Sequence, residues 1–179
     1  MNQEPTSLTP AGEKRRRFTR AGIAASGVLM TVASQPGMAC DICATPSGSL
    51  SGGLQSHRGP APVCAGRAPT YWKGSSNWPR GCSKTAKFGS VFACSGAYSS
   101  YANVTMQNML THQSFDTNSI GMYMVAAYLN VAAGLSSFQT TAMLQTMWKE
   151  LQSAGYYAPT AGTKWHNYDV AAYLSGTMD

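Results

Sequence analysis

Charge is scarce in this chain. Only 11% of its 179 residues are Asp, Glu, Lys or Arg, against about 25% in an average soluble protein. Acidic groups are the scarcer sign, with 7 Asp and Glu against 13 Lys and Arg. Beyond residue 39 the acids are Asp41, Asp116, Glu150, Asp169 and Asp179. That is a thin supply for chemistry such as glycoside hydrolysis, which needs two carboxylates flanking one bond. No run of about 18 apolar residues appears, so no membrane-spanning helix is predicted. HExxH, GxSxG and glycine-rich phosphate-loop patterns are missing, as are internal repeats and heptads. Apolar residues are not lacking: they make up 44% of the chain, and aromatics 10%. That content argues against disorder, and the length suits about one domain.

The first 39 residues form an address. Residues 14–20 are Lys-Arg-Arg-Arg-Phe-Thr-Arg, followed by a mild apolar stretch over residues 21–33 and small residues ending Gly37-Met38-Ala39. Basic, apolar and small-residue regions in that order predict an export signal that is removed, leaving Cys40 as the first mature residue. Arg15-Arg16-Arg17-Phe18-Thr19-Arg20 resembles the twin-arginine export signal, with Thr19 in place of the usual apolar residue and Arg20 in place of Lys. An ordinary secretory leader is the competing reading. A lipoprotein signal also cleaves before Cys, so lipidation of Cys40 would place the chain at a membrane. The leader carries Lys14, Arg15, Arg16, Arg17 and Arg20 against Glu4 and Glu13, which is half of the formal +6. Much of the apparent basicity thus belongs to the signal, and nucleic acid is not an expected partner, because phosphate binding needs clustered cations.

The remainder divides by composition. Residues 40–95 hold all 5 cysteines, with Pro46, Pro60, Pro62, Pro69 and Pro79 and many Gly and Ser, and predict an irregular, disulfide-stapled region. Arg58, Arg67, Lys73, Arg80, Lys84 and Lys87 face only Asp41 there. Residues 96–179 predict a helical region, and 40–179 together one compact domain of the mainly α class, with a small core of about four helices. Thr105 is expected to cap a short helix bearing Met106, Met109 and Leu110 on one face. A second helix begins at Asp116 or Thr117 and runs to Gly134, apolar nearly all round and therefore central. A third covers residues 140–154, with Leu144, Met147, Trp148 and Leu151 inward and Gly155 ending it. Asn167 is expected to cap the last, in which Val170, Tyr173 and Leu174 face inward and Asp169 complements the helix dipole.

Cysteines in an exported chain default to disulfides. The candidates are Cys40, Cys43, Cys64, Cys82 and Cys94, with Cys82–Cys94 as a local loop and Cys64 paired to Cys40 or Cys43. Cys40-Asp41-Ile42-Cys43 is also the spacing of a redox dithiol or half of a tetrahedral metal site. No second close cysteine pair completes a zinc set, so staples are preferred and no cofactor or metal is expected. His112 with Asp116, four apart, and His166 with Asp169, three apart, are the acid–base spacings available to an envelope hydrolase. Capping or surface roles explain both pairs more simply, so no catalytic residue is assigned.

The most distinctive stretch is Ala68-Pro69-Thr70-Tyr71-Trp72-Lys73, followed by Trp78-Pro79-Arg80. Tyr71, Trp72, Lys73, Trp78 and Arg80 are the candidate binding residues, because aromatics among cations can stack on sugars or peptides and attract an anionic partner. The alternative is that the aromatics are anchors, burying apolar area in a region poor in regular structure. Pro69, Tyr71, Trp72 and Lys73, then Trp78-Pro79, then Met124-Val125-Ala126-Ala127-Tyr128-Leu129-Asn130 and Gly134, resemble the ordered landmarks of a group of bacterial exported and surface proteins. That group carries a Pro-Gly-Tyr-Trp-Lys-Asn-His-like motif. Here Thr70 replaces its Gly, and Gly74-Ser75 replaces its Asn-His. The resemblance implies export and surface residence, and supplies no activity.

The expectation is therefore an exported module, periplasmic or at the cell surface, that binds an envelope or surface component without catalysis. A metal or redox protein using Cys40 and Cys43 is the first alternative, and an envelope hydrolase the second.

Overall fold

One helix, with almost nothing polar on any side, organises the rest. The computed structural model describes residues 43–50, 63 and 65–179, all within one compact unit; the predicted leader, Cys40 and Cys64 lie outside the described residues. The chain is mainly helical: α1 (Pro46–Leu50), α2 (Pro69–Gly74), α3 (Met106–Met109), α4 (Ile120–Ala132), α5 (Thr141–Ala154) and α6 (Asn167–Ser175), with 3₁₀ turns at Phe88–Ser90, Gly96–Tyr101 and Thr117–Ser119. Among the described residues strand pairing is confined to isolated bridges such as Gly66 with Met178 and Tyr157 with Trp165. No helix among them is long and apolar enough to cross a membrane.

Helix α4 is central because Ile120, Met124, Val125, Ala126, Ala127 and Leu129 are all fully buried, and α2, α3, α5 and α6 pack against it. Its start is unusual. Asn118 and Ser119 adopt left-handed backbone (φ 58° and 55°), which folds the 3₁₀ turn back so that Asp116 reaches over it. The Asp116 carboxylate accepts from the Gly121 and Met122 backbone N–H groups at 2.9 and 3.1 Å and from the Tyr101 hydroxyl at 3.1 Å. These are helix-start donors that have no intrahelical partner. At the other end Gly134 takes φ 71° and Leu135 N–H returns to the Asn130 carbonyl at 2.9 Å, a left-handed termination that suits glycine.

The other predicted helices are in place. The Thr105 and Thr140 hydroxyls accept from Asn108 and Met143 N–H groups at 3.2 and 3.1 Å, and Gly155 ends α5 with φ 76°. Two boundaries are corrected: α4 begins at Ile120 rather than at Asp116 or Thr117, because Asn118 and Ser119 are left-handed, and His166, not Asn167, is the cap of α6. The Asp169 carboxylate reaches back to the His166 N–H at 2.9 Å, while the Asn167 side chain accepts from the Tyr98 hydroxyl at 3.0 Å.

Two further expectations are corrected. Residues 40–95 are not wholly irregular, since they contain α1, α2 and a 3₁₀ turn. They also feed the core, where the rings of Phe88 and Phe92 meet Trp148 of α5 at centroid distances of 4.9 and 6.2 Å. The expected Cys82–Cys94 staple is not formed, and both are free thiols. The Cys94 thiol is instead turned to the Phe92 carbonyl at 3.0 Å, and the partly buried Cys82 packs against the core. Cys43 is disulfide-bonded.

Packing this many tyrosines into the core has a pH consequence. Burial raises the pKa of Tyr101, reinforced by the Asp116 charge, and of Tyr157, reinforced by Glu150. It also raises Tyr173 and, with Cys82, pushes Tyr128 up to about 12. An unfolded chain ionises its phenols near pH ~10, whereas the folded chain holds these protons longer. Their stabilising contribution is therefore complete below pH ~10 and is lost as pH climbs toward the folded values. Urea midpoints are expected to fall as pH rises from about 10 toward about 12, with the part of the 295-nm tyrosinate absorbance that belongs to these four tyrosines appearing at unfolding rather than before it.

Candidate recognition surface

Helix α2 has six residues, too few to persist without tertiary support. Three features hold it. Pro69 at its start is pre-set to helical φ and lacks an N–H that would otherwise go unsatisfied. Trp72 is 4% exposed and packs in the main core, with its indole N–H donating to the Asn130 side-chain oxygen at 2.9 Å. At the far end the half-buried Trp78 donates its indole N–H to the Trp72 carbonyl at 3.0 Å.

Asn130 is the polar node beneath this helix. It is fully buried on α4. Its oxygen also accepts from the Arg67 N–H at 2.8 Å, and its amide donates to the Arg67 carbonyl at 3.0 Å. A single side chain thereby fixes both the strap that enters α2 and the indole that anchors it. The chain end joins the same clasp: Asp179 N–H donates to the Gly66 carbonyl at 2.8 Å, and Ala68 N–H to the Asp179 carbonyl at 3.1 Å.

Of the five candidate binding residues, the structure turns three outward and uses two as anchors. Neighbours on a helix point about 100° apart, so burying Trp72 swings Tyr71 and Lys73 to either side. Tyr71 is 52% exposed, standing edge-on to Trp72 at 5.1 Å, and the Arg67 guanidinium lies over its ring at 5.4 Å. Lys73 and Arg80 are exposed. Trp72 is buried in the core, and the half-buried Trp78 has its indole N–H committed to the Trp72 carbonyl. Arg67 belongs with the outward set and escaped the sequence reading; it is the first cation before the aromatic stretch. Asn130 escaped as well, although a lone amide in an otherwise apolar helix signals a buried polar node. No Asp or Glu occurs from residue 65 through residue 115, and Asp179, which joins the clasp at Gly66 and Ala68, is the acid brought beside the cations Arg67, Lys73 and Arg80.

The two His–Asp spacings are occupied by structure. Asp169 bonds the His166 backbone, while the His166 ring is 3.0 Å from the Gly155 carbonyl. Asp116 is buried against backbone donors. Burial raises its pKa despite those hydrogen bonds and the opposing influence of exposed His112. Glu150 accepts from the Ala158 N–H at 3.1 Å. Among the described residues no three His, Cys, Asp or Glu side chains gather as a metal set.

No family model matches the chain, and no curated protein and no solved structure matches it.

Proposed function

We propose that the chain is an exported, non-catalytic binding module that engages an anionic envelope or surface component through Tyr71, Lys73 and Arg80, with Arg67 beside them. The observation that carries this reading is the half-exposed Tyr71 ring on an anchored helix, with the Arg67 guanidinium 5.4 Å from its centroid. A ring held from behind by Trp72 loses little freedom on binding. Its outer face offers apolar area to a sugar or peptide, and the flanking cations select negative charge. The leader-like N-terminus and the resemblance to exported surface proteins support the location.

An acidic polysaccharide such as heparin is a suitable first probe. The combined change Tyr71→Ala, Lys73→Gln and Arg80→Gln is expected to weaken its binding by about tenfold or more with the melting temperature unchanged. Lys84→Gln and Lys87→Gln serve as charge controls, because those ammonium groups already donate to the Ser75 and Asn103 carbonyls at 2.6 and 2.7 Å. Equal losses from the control pair would reduce the effect to net charge and overturn the assignment of a defined face.

A further inference from the structure

A second concavity is built from different residues. The segment Val91–Ser95 lies along α5 as a strap, tied by side chains of that helix. Gln145 donates to the Val91 carbonyl at 2.9 Å. The Trp148 indole and the Gln152 amide both donate to the Ala93 carbonyl, at 3.1 and 2.7 Å. The Gln152 oxygen in turn accepts from Ser95 N–H at 2.8 Å. Between strap and helix is a cavity of about 440 Å³, within the roughly 300–1,000 Å³ range of small-molecule sites.

The chemistry of its wall is uneven. The amide and indole donors on the helix side are committed to the strap, so they hold the cavity open without offering themselves to a ligand. Val91, Ala93, Cys94 and the edge of Trp148 leave an apolar wall. Cys94 belongs to that wall, because its thiol is hydrogen-bonded to Phe92 and burial raises its pKa, keeping it neutral. Among the described residues that line it, Lys149 is the charged one, and it is exposed at the rim. An apolar wall with one cation at its mouth selects a molecule with an apolar body and a single negative head.

We propose that the cavity between Val91–Ser95 and α5 binds a small amphipathic monoanion of the medium-chain carboxylate class, its chain against Val91, Ala93, Cys94 and Trp148 and its carboxylate at Lys149. The site is independent of the Tyr71 face, and either assignment can fail without the other.

Decanoate and decanol are the probes, applied to the purified mature chain. Decanoate is expected to bind and to slow alkylation of Cys94 by N-ethylmaleimide about tenfold, with labelling of Cys82, also a free thiol, unchanged in the same digest. Lys149→Gln is expected to weaken decanoate about tenfold and to leave decanol unaffected. Ala93→Trp, at an exposed position of the strap, fills the cavity and abolishes protection by decanoate while the melting temperature holds. Four results would overturn the proposal: no protection by decanoate, equal protection of Cys82, a Lys149→Gln variant that binds both probes as before, or protection persisting in Ala93→Trp. Protection of Cys94 that grows with protein concentration alone would also overturn it, and would assign the cavity to a second copy of the chain.

Discussion

Trp72→Ala is expected to lower the free energy of unfolding by about 3–5 kcal/mol, the usual cost of deleting a large aromatic from a packed core. For a domain of ordinary stability, about 5–15 kcal/mol, that is a substantial fraction of the whole. The loss has two parts. Removing the ring empties a site that is 4% exposed, and α2 loses the contact that compensates for its six-residue length. Removing the indole N–H takes away one of the donors to the Asn130 oxygen, while Arg67 N–H at 2.8 Å remains. Trp72→Phe separates these parts. It keeps most of the apolar area and is expected to cost about 1–2 kcal/mol, the scale of one buried hydrogen bond with some packing loss. Trp78→Ala should fall below Trp72→Ala, because Trp78 is only half-buried. Urea denaturation followed by far-UV circular dichroism gives all three values. A Trp72→Ala protein as stable as the parent would show that the ring belongs to a binding face after all.

The residues that sequence reasoning located well are those whose role is local. Thr105 caps α3 through the N–H three residues on, and Gly134 and Gly155 end α4 and α5 by their own backbone freedom. A period of three and four is enough to place Leu144, Met147, Trp148 and Leu151 inward. The errors arise where the decisive partner is distant or where two local solutions compete. Helix α2 lies among Pro, Gly and Ser and is held by an Asn 58 positions further on, a contact that no short window contains. At α6 the expected cap is Asn167 and the observed cap is His166. Asp169 settles the matter by reaching the N–H three residues before it. Spacing suggested joining Cys82 to Cys94, yet the backbone at Phe92 gives the Cys94 thiol a nearer acceptor.

The proposed face was half legible for the same reason. Composition identifies an aromatic and cationic stretch but does not say which ring faces in. Burial of Trp72 makes that choice, and the helical turn then sends Tyr71 and Lys73 outward together. The face thus depends on the clasp behind it, and changes in the clasp should propagate to it. Loss of probe binding in Trp72→Ala is therefore read against its stability, whereas Tyr71→Ala reports on contact alone.

That clasp has one point where no side chain fits. A Cβ added to Gly66 would clash with the Thr177 backbone carbonyl oxygen and sit 3.2 Å from the Asn130 amide nitrogen. Backbone at that distance cannot step aside as the end of a flexible side chain would, so the two segments must separate. Separation weakens the 2.8 Å bond from Asp179 to Gly66 and the 3.1 Å bond from Ala68 to Asp179. It also disturbs the Asn130 bonds to Arg67 that lead into α2. Gly66→Ala is expected to cost about 1–3 kcal/mol, the scale of overpacking in a close-packed site. Deleting residues 177–179 removes the obstructing carbonyl and breaks the same clasp, so it should destabilise by a similar amount. The two changes together are then expected to cost little more than the deletion alone, because the clash no longer exists. A double-mutant cycle with a coupling near the full Gly66→Ala cost is the expected result, measured as urea midpoints at constant m-value. Additive losses would instead place the penalty in Gly66's own backbone rather than in its contact with the chain end.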